Sequence, residues 1–125
     1  MKYIGFGGKG HQVRDCLHPN DLCALLVKQL RAPEKSGQVM NVSGGVKSAI
    51  SLANLSKWCE GRFGPQGVGS DATNRQYDIP WLVLDSARAE QEWDWHPALS
   101  LENILEEIAT HAENNPSWLD LSSAS

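Results

Sequence analysis

Apolar side chains recur along the chain at two different spacings, and the change between them predicts alternating strands and helices. Residues 12–18 alternate polar and apolar positions, which is the period of a half-buried strand. From Asp21 to Arg31 the leucines recur three and four positions apart, which predicts an amphipathic helix with Asn20 as its N-cap. Cys23 and Val27 widen this apolar stripe, so we expect the helix to contact more than one neighbour.

Two further apolar runs predict strands. Residues 38–42 predict a short buried strand, and residues 79–84 predict a third strand whose first residues lie at an edge because of Pro80. The glycine-rich start, residues 1–11, and residues 64–73 predict loops.

Three more helices are predicted, each opened by a residue whose side chain can accept from the first free backbone N–H groups. The predicted caps are Ser51, Asp85 or Ser86, and Ser100, and the predicted ends lie near Gly64, Trp93 and Glu113. Residues 114–125 are expected to form a polar, frayed tail whose one anchor is Trp118. The resulting order, β-α-β-α-β-α-α, favours parallel strands joined by helical crossovers.

Composition limits the class of protein more than it identifies it. At 125 residues the chain fits a single domain, and its net charge of −4 argues against a nucleic-acid-binding role. No apolar run is long enough to span a bilayer and no secretion signal is present, so we expect a cytoplasmic protein. Cys16, Cys23 and Cys59 lack the spacing of a metal or redox site, and the last two are expected to be small buried hydrophobes.

The residues that could bind an anion lie early in the chain. The last Lys or Arg is Arg88, so we expect an anion site within the first three-quarters of the sequence. Arg14, on the first predicted strand, could hold a phosphate through its planar guanidinium or form an ion pair with Asp15 or another carboxylate. Arg75 and Asp78 could serve one ligand together, with the arginine on phosphate and the carboxylate on a sugar hydroxyl, or could form an exposed salt bridge.

For the other residues that could bind a ligand or act in catalysis, a structural role is the favoured interpretation. The glycines of residues 5–10 surround Lys9, but a phosphate loop needs Ser or Thr after the lysine and a helix next, and neither follows. His18 and His96 each precede a proline and are expected to be structural, and no histidine spacing suits a metal. The tryptophans beside helical apolar faces are expected to pack in the core.

Five segments in order resemble the extended short-chain dehydrogenase/reductase family, in particular its NAD-dependent nucleotide-sugar epimerases and dehydratases. Residues 7–22 resemble a strand with an Arg-Asp pair, a His and an Asp-Leu helix start, and residues 38–45 resemble a strand ending in Asn-x-Gly-Gly. The other three are the helix opening at 51–55, the pair Arg75-x-x-Asp78, and the closing segment from 85 to 97. Within this family, the sequence of residues 8–18 most resembles that of CDP-paratose (CDP-tyvelose) 2-epimerase-like members.

This resemblance implies an α/β fold, a truncated Rossmann-like carboxy-terminal region with about three short strands and four helices. It implies that residues 1–113 form a substrate-binding region in which Arg14 and Arg75 contact the diphosphate of a nucleotide sugar and Asp78 contacts the nucleoside. Many relatives carry an aromatic residue where Cys16 stands, so base stacking at this position is in doubt. A second departure from the family pattern is Asp94, where many relatives have glycine.

The family's NAD fingerprint and its Tyr-x-x-x-Lys pair are not found in this sequence. We therefore expect no catalytic residue, no metal and no bound cofactor in this chain, although the parent family uses NAD. The expected function is the substrate-side, CDP- or UDP-sugar-binding fragment of an epimerase. The alternative is a stand-alone oligomerising protein that keeps the fold elements and binds no nucleotide.

The apolar stripe of the first helix also predicts a partner. If about 400 Å² of apolar surface stays exposed, the fold loses on the order of 10 kcal/mol of hydrophobic stabilisation. This is comparable with the free energy of unfolding of a whole domain. We therefore expect either a homodimer or pairing with an NAD-binding amino-terminal half.

Overall fold

The computed structural model describes residues 1–35 and 38–117. Within these ranges it contains four α-helices: α1 (Pro19–Arg31), α2 (Leu52–Phe63), α3 (Ala87–Trp93) and α4 (Leu101–Asn114). The same ranges contain five strands, none longer than three residues: β1 (Lys2–Ile4), β2 (Val13–Asp15), β3 (Ala49–Ser51), β4 (Gly69–Asp71) and β5 (Trp81–Leu82). The predicted α/β class and the four helices are confirmed.

The strands form two small sheets. In one sheet β2 lies in the centre, antiparallel to β3 and parallel to β5, so that Arg14 is opposite Ile50 on one side and Leu82 on the other. In the other sheet β1 and β4 pair in parallel. The predicted loops over residues 1–11 and 64–73 are therefore wrong in part, because each contains a strand that is completed by the other.

The predicted strand at residues 38–42 is also wrong. These residues form no ladder with another strand in the described part of the chain, and the side chain of Val39 is 93% exposed. An apolar run becomes a strand only where a neighbouring strand can pair with its backbone.

Helix caps explain where the helices begin. Ser51 and Ser100 cap α2 and α4 as predicted, each accepting from the backbone N–H three residues ahead. The cap of α1 is His18 and not Asn20, because the His18 Nδ1 atom accepts from the backbone N–H of Asn20 at 3.0 Å. Pro19 can then occupy the first turn, where its missing N–H has no cost.

The core lies between α1, α3 and the turn that follows α3. Leu25, Ala89, Trp93 and Trp95 are buried there, which confirms the predicted packing role of the last two. Asp21 is buried beside them: its carbonyl oxygen accepts from the indole N–H of Trp95 at 2.9 Å. Its carboxylate accepts from the backbone N–H of Leu99 at 3.1 Å, so one residue ties α1 to the segment between α3 and α4.

Much of the apolar stripe of α1 lies outside this core. Of its leucines Leu25 is buried, whereas Leu22, Leu26 and Leu30 are 40%, 47% and 81% exposed. Cys23 is exposed on the same helix and Cys59 is only partly buried, so their predicted full burial is wrong. The predicted anchor Trp118 lies outside the described residues, and no helix within them is long and apolar enough to cross a membrane.

Candidate functional site

The three residues predicted to bind a ligand line one cavity. Its volume is about 180 Å³, and it lies where the start of the chain, the start of α2 and the loop before β5 meet. The lining residues are Lys2, Ile4, Gln12, Arg14, Leu52, Arg75 and Asp78. All lie in the first three-quarters of the chain, where an anion site was expected.

The guanidinium of Arg14 is fixed by three acceptors of the protein. Its Nη1 atom donates to the carbonyl oxygens of Val13 and Ile79, at 2.7 and 2.9 Å, and its Nη2 atom donates to Oδ1 of Asp78 at 3.2 Å. A guanidinium has five N–H donors, so two remain for a ligand. The ion partner of Arg14 is thus Asp78 and not Asp15. The carboxylate of Asp15 instead accepts from the backbone N–H of Leu84.

Asp78 is held from a second side by Gln12, a residue that no predicted ligand motif included. The Gln12 side chain is buried, and its Nε2 atom donates to the carbonyl oxygen of Ile4 at 2.7 Å and to Oδ2 of Asp78 at 3.2 Å. Its Oε1 atom is buried and has no partner among the described residues. The polar position of Gln12 next to β2 was visible in the sequence, but its contact with Asp78 depends on the fold.

The guanidinium of Arg75, unlike that of Arg14, is not held by other groups of the described chain. Arg75 lies in the exposed loop between β4 and β5, and its carbonyl oxygen accepts from the backbone N–H of Asp78 at 3.4 Å. In the described part of the chain its guanidinium has no hydrogen bond or ion pair. Its five donors are therefore all available at the edge of the cavity.

The cavity is cationic although the chain is acidic. Lys2, Arg14 and Arg75 face a single lining carboxylate, that of Asp78, whereas the net charge of the protein is −4. Lys2 is paired outside the cavity lining, with its Nζ atom 2.7 Å from Oδ2 of Asp71. This hydrogen bond, together with one from the backbone N–H of Thr73, holds the pKa of Asp71 well below its usual range.

The remaining candidates have structural positions. The Nε2 atom of His18 lies 3.0 Å from a carboxylate oxygen of Glu107, which links the start of α1 to α4. Since Nδ1 of His18 accepts a backbone hydrogen bond, Nε2 carries the ring hydrogen and donates a hydrogen bond to Glu107. Across residues 1–35 and 38–117, no group of three or more His, Cys, Asp or Glu side chains could hold a metal ion.

Comparison with known proteins gives one similar sequence and many similar folds. No family model matches the chain. CDP-paratose 2-epimerase from Salmonella typhi is 28% identical over 108 residues, which cover 86% of this chain and 32% of that protein. The chain thus spans about a third of the length of this curated relative.

The solved structures show the same fold over a similar share. The epimerase Mth375 from Methanothermobacter thermautotrophicus superposes with a TM-score of 0.79 at 18% identity, covering 95% of this chain and 34% of its own. UDP-glucuronic acid 4-epimerase from Bacillus cereus, solved with a UDP-sugar and NAD, gives a TM-score of 0.72 at 20% identity, with 89% and 34% covered. The chain is therefore similar to the carboxy-terminal region of NAD-dependent nucleotide-sugar epimerases and dehydratases, which confirms the resemblance in its residues.

Proposed function

We propose that the chain is the substrate-side part of a nucleotide-sugar epimerase, in which Arg14 and Arg75 hold the diphosphate of a CDP- or UDP-linked sugar. The observation that carries this proposal is the meeting of two guanidinium groups, distant in sequence, at one cavity. Guanidinium groups bind phosphate oxygens through pairs of parallel N–H bonds, and two such groups suit the two phosphates of a diphosphate.

The two arginines have complementary properties. Arg14 is held in place before a ligand arrives, so little side-chain entropy is lost when its two remaining donors bind a phosphate. Arg75 lies on an exposed loop and offers all of its donors, so it can close on the second phosphate. A cavity of about 180 Å³ is smaller than the roughly 300–1,000 Å³ of most organic-ligand pockets, so the nucleoside and sugar extend beyond it.

Asp78 supplies the acceptor of the site. Its two oxygens already accept from Arg14 and Gln12, but each carboxylate oxygen has a second lone pair. These lone pairs can accept from a hydroxyl group of the ligand, which supports the role in nucleoside binding that the resemblance implies. We assign binding to this chain and no catalytic step. NAD would be held by the part of the epimerase fold that these residues do not span.

The exposed face of α1 supports a second, compatible role in assembly. Four apolar side chains of this helix remain 40–81% exposed in the described chain: Leu22, Leu26, Val27 and Leu30. We propose that this face binds a partner, either a second copy of the chain or an NAD-binding half of the enzyme. The alternative without nucleotide binding would bury the arginines in a subunit interface, and the cavity that Arg14 and Arg75 line together favours nucleotide binding.

Isothermal titration with CDP-glucose tests the binding proposal. We expect binding by the wild-type chain in the micromolar to millimolar range and a loss of about ten-fold or more in Arg75→Ala, since hydrogen bonds to charged groups contribute about 1.5–3 kcal/mol. Arg88→Ala is the matched control, because Arg88 pairs with Glu92 on α3 and does not line the cavity. No heat from the wild-type chain at millimolar ligand would remove the binding proposal and leave the family resemblance intact.

A further inference from the structure

Gln12 controls how Asp78 can interact with Arg14. Both hydrogens of the Gln12 Nε2 atom are used, one on the carbonyl oxygen of Ile4 and one on Oδ2 of Asp78. The opposite oxygen, Oδ1, accepts from Nη2 of Arg14. The carboxylate is thus shared between an amide and a guanidinium, with one oxygen for each.

This sharing matters because carboxylates and guanidinium groups prefer to pair through two parallel hydrogen bonds. If both oxygens of Asp78 turned to Arg14, they would occupy N–H donors that a phosphate needs, and they would neutralise the cation more completely. The Asp78 side chain is 13% exposed and that of Arg14 is 40% exposed, so water competes little for the carboxylate although it reaches the guanidinium. The second hydrogen bond from Gln12 opposes that rearrangement.

We infer that Gln12 is a positioning residue that limits the Arg14–Asp78 pair to one hydrogen bond. It thereby keeps the remaining N–H donors of Arg14 available for an anion. The inference rests on the proposed diphosphate site and adds a residue that acts through Asp78 without touching the ligand. Gln12 lines the cavity, but only 4% of it is exposed, which favours this indirect role over direct contact with the ligand.

The substitution Gln12→Met tests the inference, because methionine has a similar length and cannot donate to Asp78. It removes the unpartnered Oε1 atom, whose burial is unfavourable, but also the hydrogen bond to the carbonyl oxygen of Ile4, so the stability of the variant is measured beside its affinity. Circular dichroism and thermal unfolding check the fold, and Gln12→Leu, which also lacks the donor and adds no charge, gives a second variant. We expect the affinity for CDP and for inorganic pyrophosphate to fall by about the same factor, on the order of ten-fold.

The decisive variant combines Gln12→Met with Asp78→Asn. An asparagine amide cannot neutralise Arg14, so Gln12→Met should change the affinity for pyrophosphate little when it is added to Asp78→Asn, although it lowers the affinity in the wild type. A loss by the same factor in both backgrounds would indicate a purely structural role of Gln12 and would overturn the inference. Wild-type affinity in Gln12→Met would also overturn it while leaving the proposed function standing. No binding of CDP or pyrophosphate by the wild-type chain would overturn both.

Discussion

The Nη2 atom of Arg14 lies 3.2 Å from Oδ1 of Asp78, and this single contact joins the cation and the carboxylate of the proposed site. The two residues come from separate elements, β2 and the loop before β5. Their pairing in a parallel ladder brings those elements together, since Val13 is opposite Trp81 and Arg14 is opposite Leu82. The geometry of the site is therefore a direct consequence of the register between β2 and β5.

Replacing Arg14 by lysine should weaken diphosphate binding although the charge is kept. A lysine has three donors on one nitrogen and cannot reach the carbonyl oxygens of Val13 and Ile79 while also holding a phosphate. We expect Arg14→Lys to bind CDP about ten-fold more weakly, measured by isothermal titration. Arg88→Lys on α3 should bind like the wild type, and an equal loss in both variants would contradict the assignment.

Removal of the Asp21 carboxylate should destabilise the fold. The backbone N–H of Leu99 would lose its acceptor in a partly buried setting, so we expect Asp21→Ala to lower the free energy of unfolding by about 1–3 kcal/mol. Urea unfolding followed by tryptophan fluorescence measures the change. Glu102→Ala, on the exposed side of α4, should change stability by less than about 0.5 kcal/mol.

Two glycines should respond to alanine in opposite ways. A Cβ atom on Gly44 would overlap the backbone carbonyl oxygen of Cys16, so Gly44→Ala should cost about 3 kcal/mol or more. Gly61 lies within α2 with open space around it, so Gly61→Ala should stabilise by up to about 1 kcal/mol through helix propensity. Thermal midpoints of the two variants check this prediction, which fails if both shift in the same direction.

The exposed face of α1 should control self-association. We expect the wild-type chain to form a dimer at micromolar concentration and the double variant Leu26→Ser, Leu30→Ser to shift toward monomer, because both side chains lose apolar area. Size-exclusion chromatography with light scattering measures the mass. Ile108→Ser on α4, which also removes an exposed apolar side chain, should leave the mass unchanged. A stable wild-type monomer would exclude the second copy as the partner and leave the NAD-binding half.

Acid should weaken the link between β1 and β4. The hydrogen bond from Lys2 lowers the pKa of Asp71 in the folded protein, so this carboxylate stabilises the fold above its unfolded pKa of about 4. That contribution is lost as the pH falls below about 4 toward the lower folded pKa. The difference in urea midpoint between wild type and Asp71→Asn should therefore be largest near neutral pH and shrink below about pH 4. A difference that stays constant with pH would contradict this role.

The elements that could be predicted from the sequence are those set by nearby residues, above all the helices. The caps Ser51 and Ser100 and the spacing of apolar residues located α2 and α4 to within a residue or two. The strands β1 and β4 were missed because each is three residues long and is stabilised by a partner far away in the chain. Residues 38–42 carry the apolar pattern of a strand, but the described chain offers no strand beside them.

The candidate site shows the same division. Arg14, Arg75 and Asp78 were selected from motif spacing and family resemblance, and the fold brings them to one cavity. Gln12 was missed because its importance depends on contacts with Ile4 and Asp78, which only the folded chain brings within reach. The cap of α1 was assigned to Asn20 for a related reason, since His18 accepts through a ring nitrogen, which the usual cap preferences do not include.

The central claim is that Arg14 and Arg75 bind one diphosphate together. Nuclear magnetic resonance of the 15N-labelled chain, following the side-chain Nε–H signals of its arginines during titration with CDP, tests it most directly. We predict that the signals of Arg14 and Arg75 shift together and saturate with one dissociation constant, while that of Arg88 stays in place. Signals that do not move, or that move for only one of the two cavity arginines, would contradict the account.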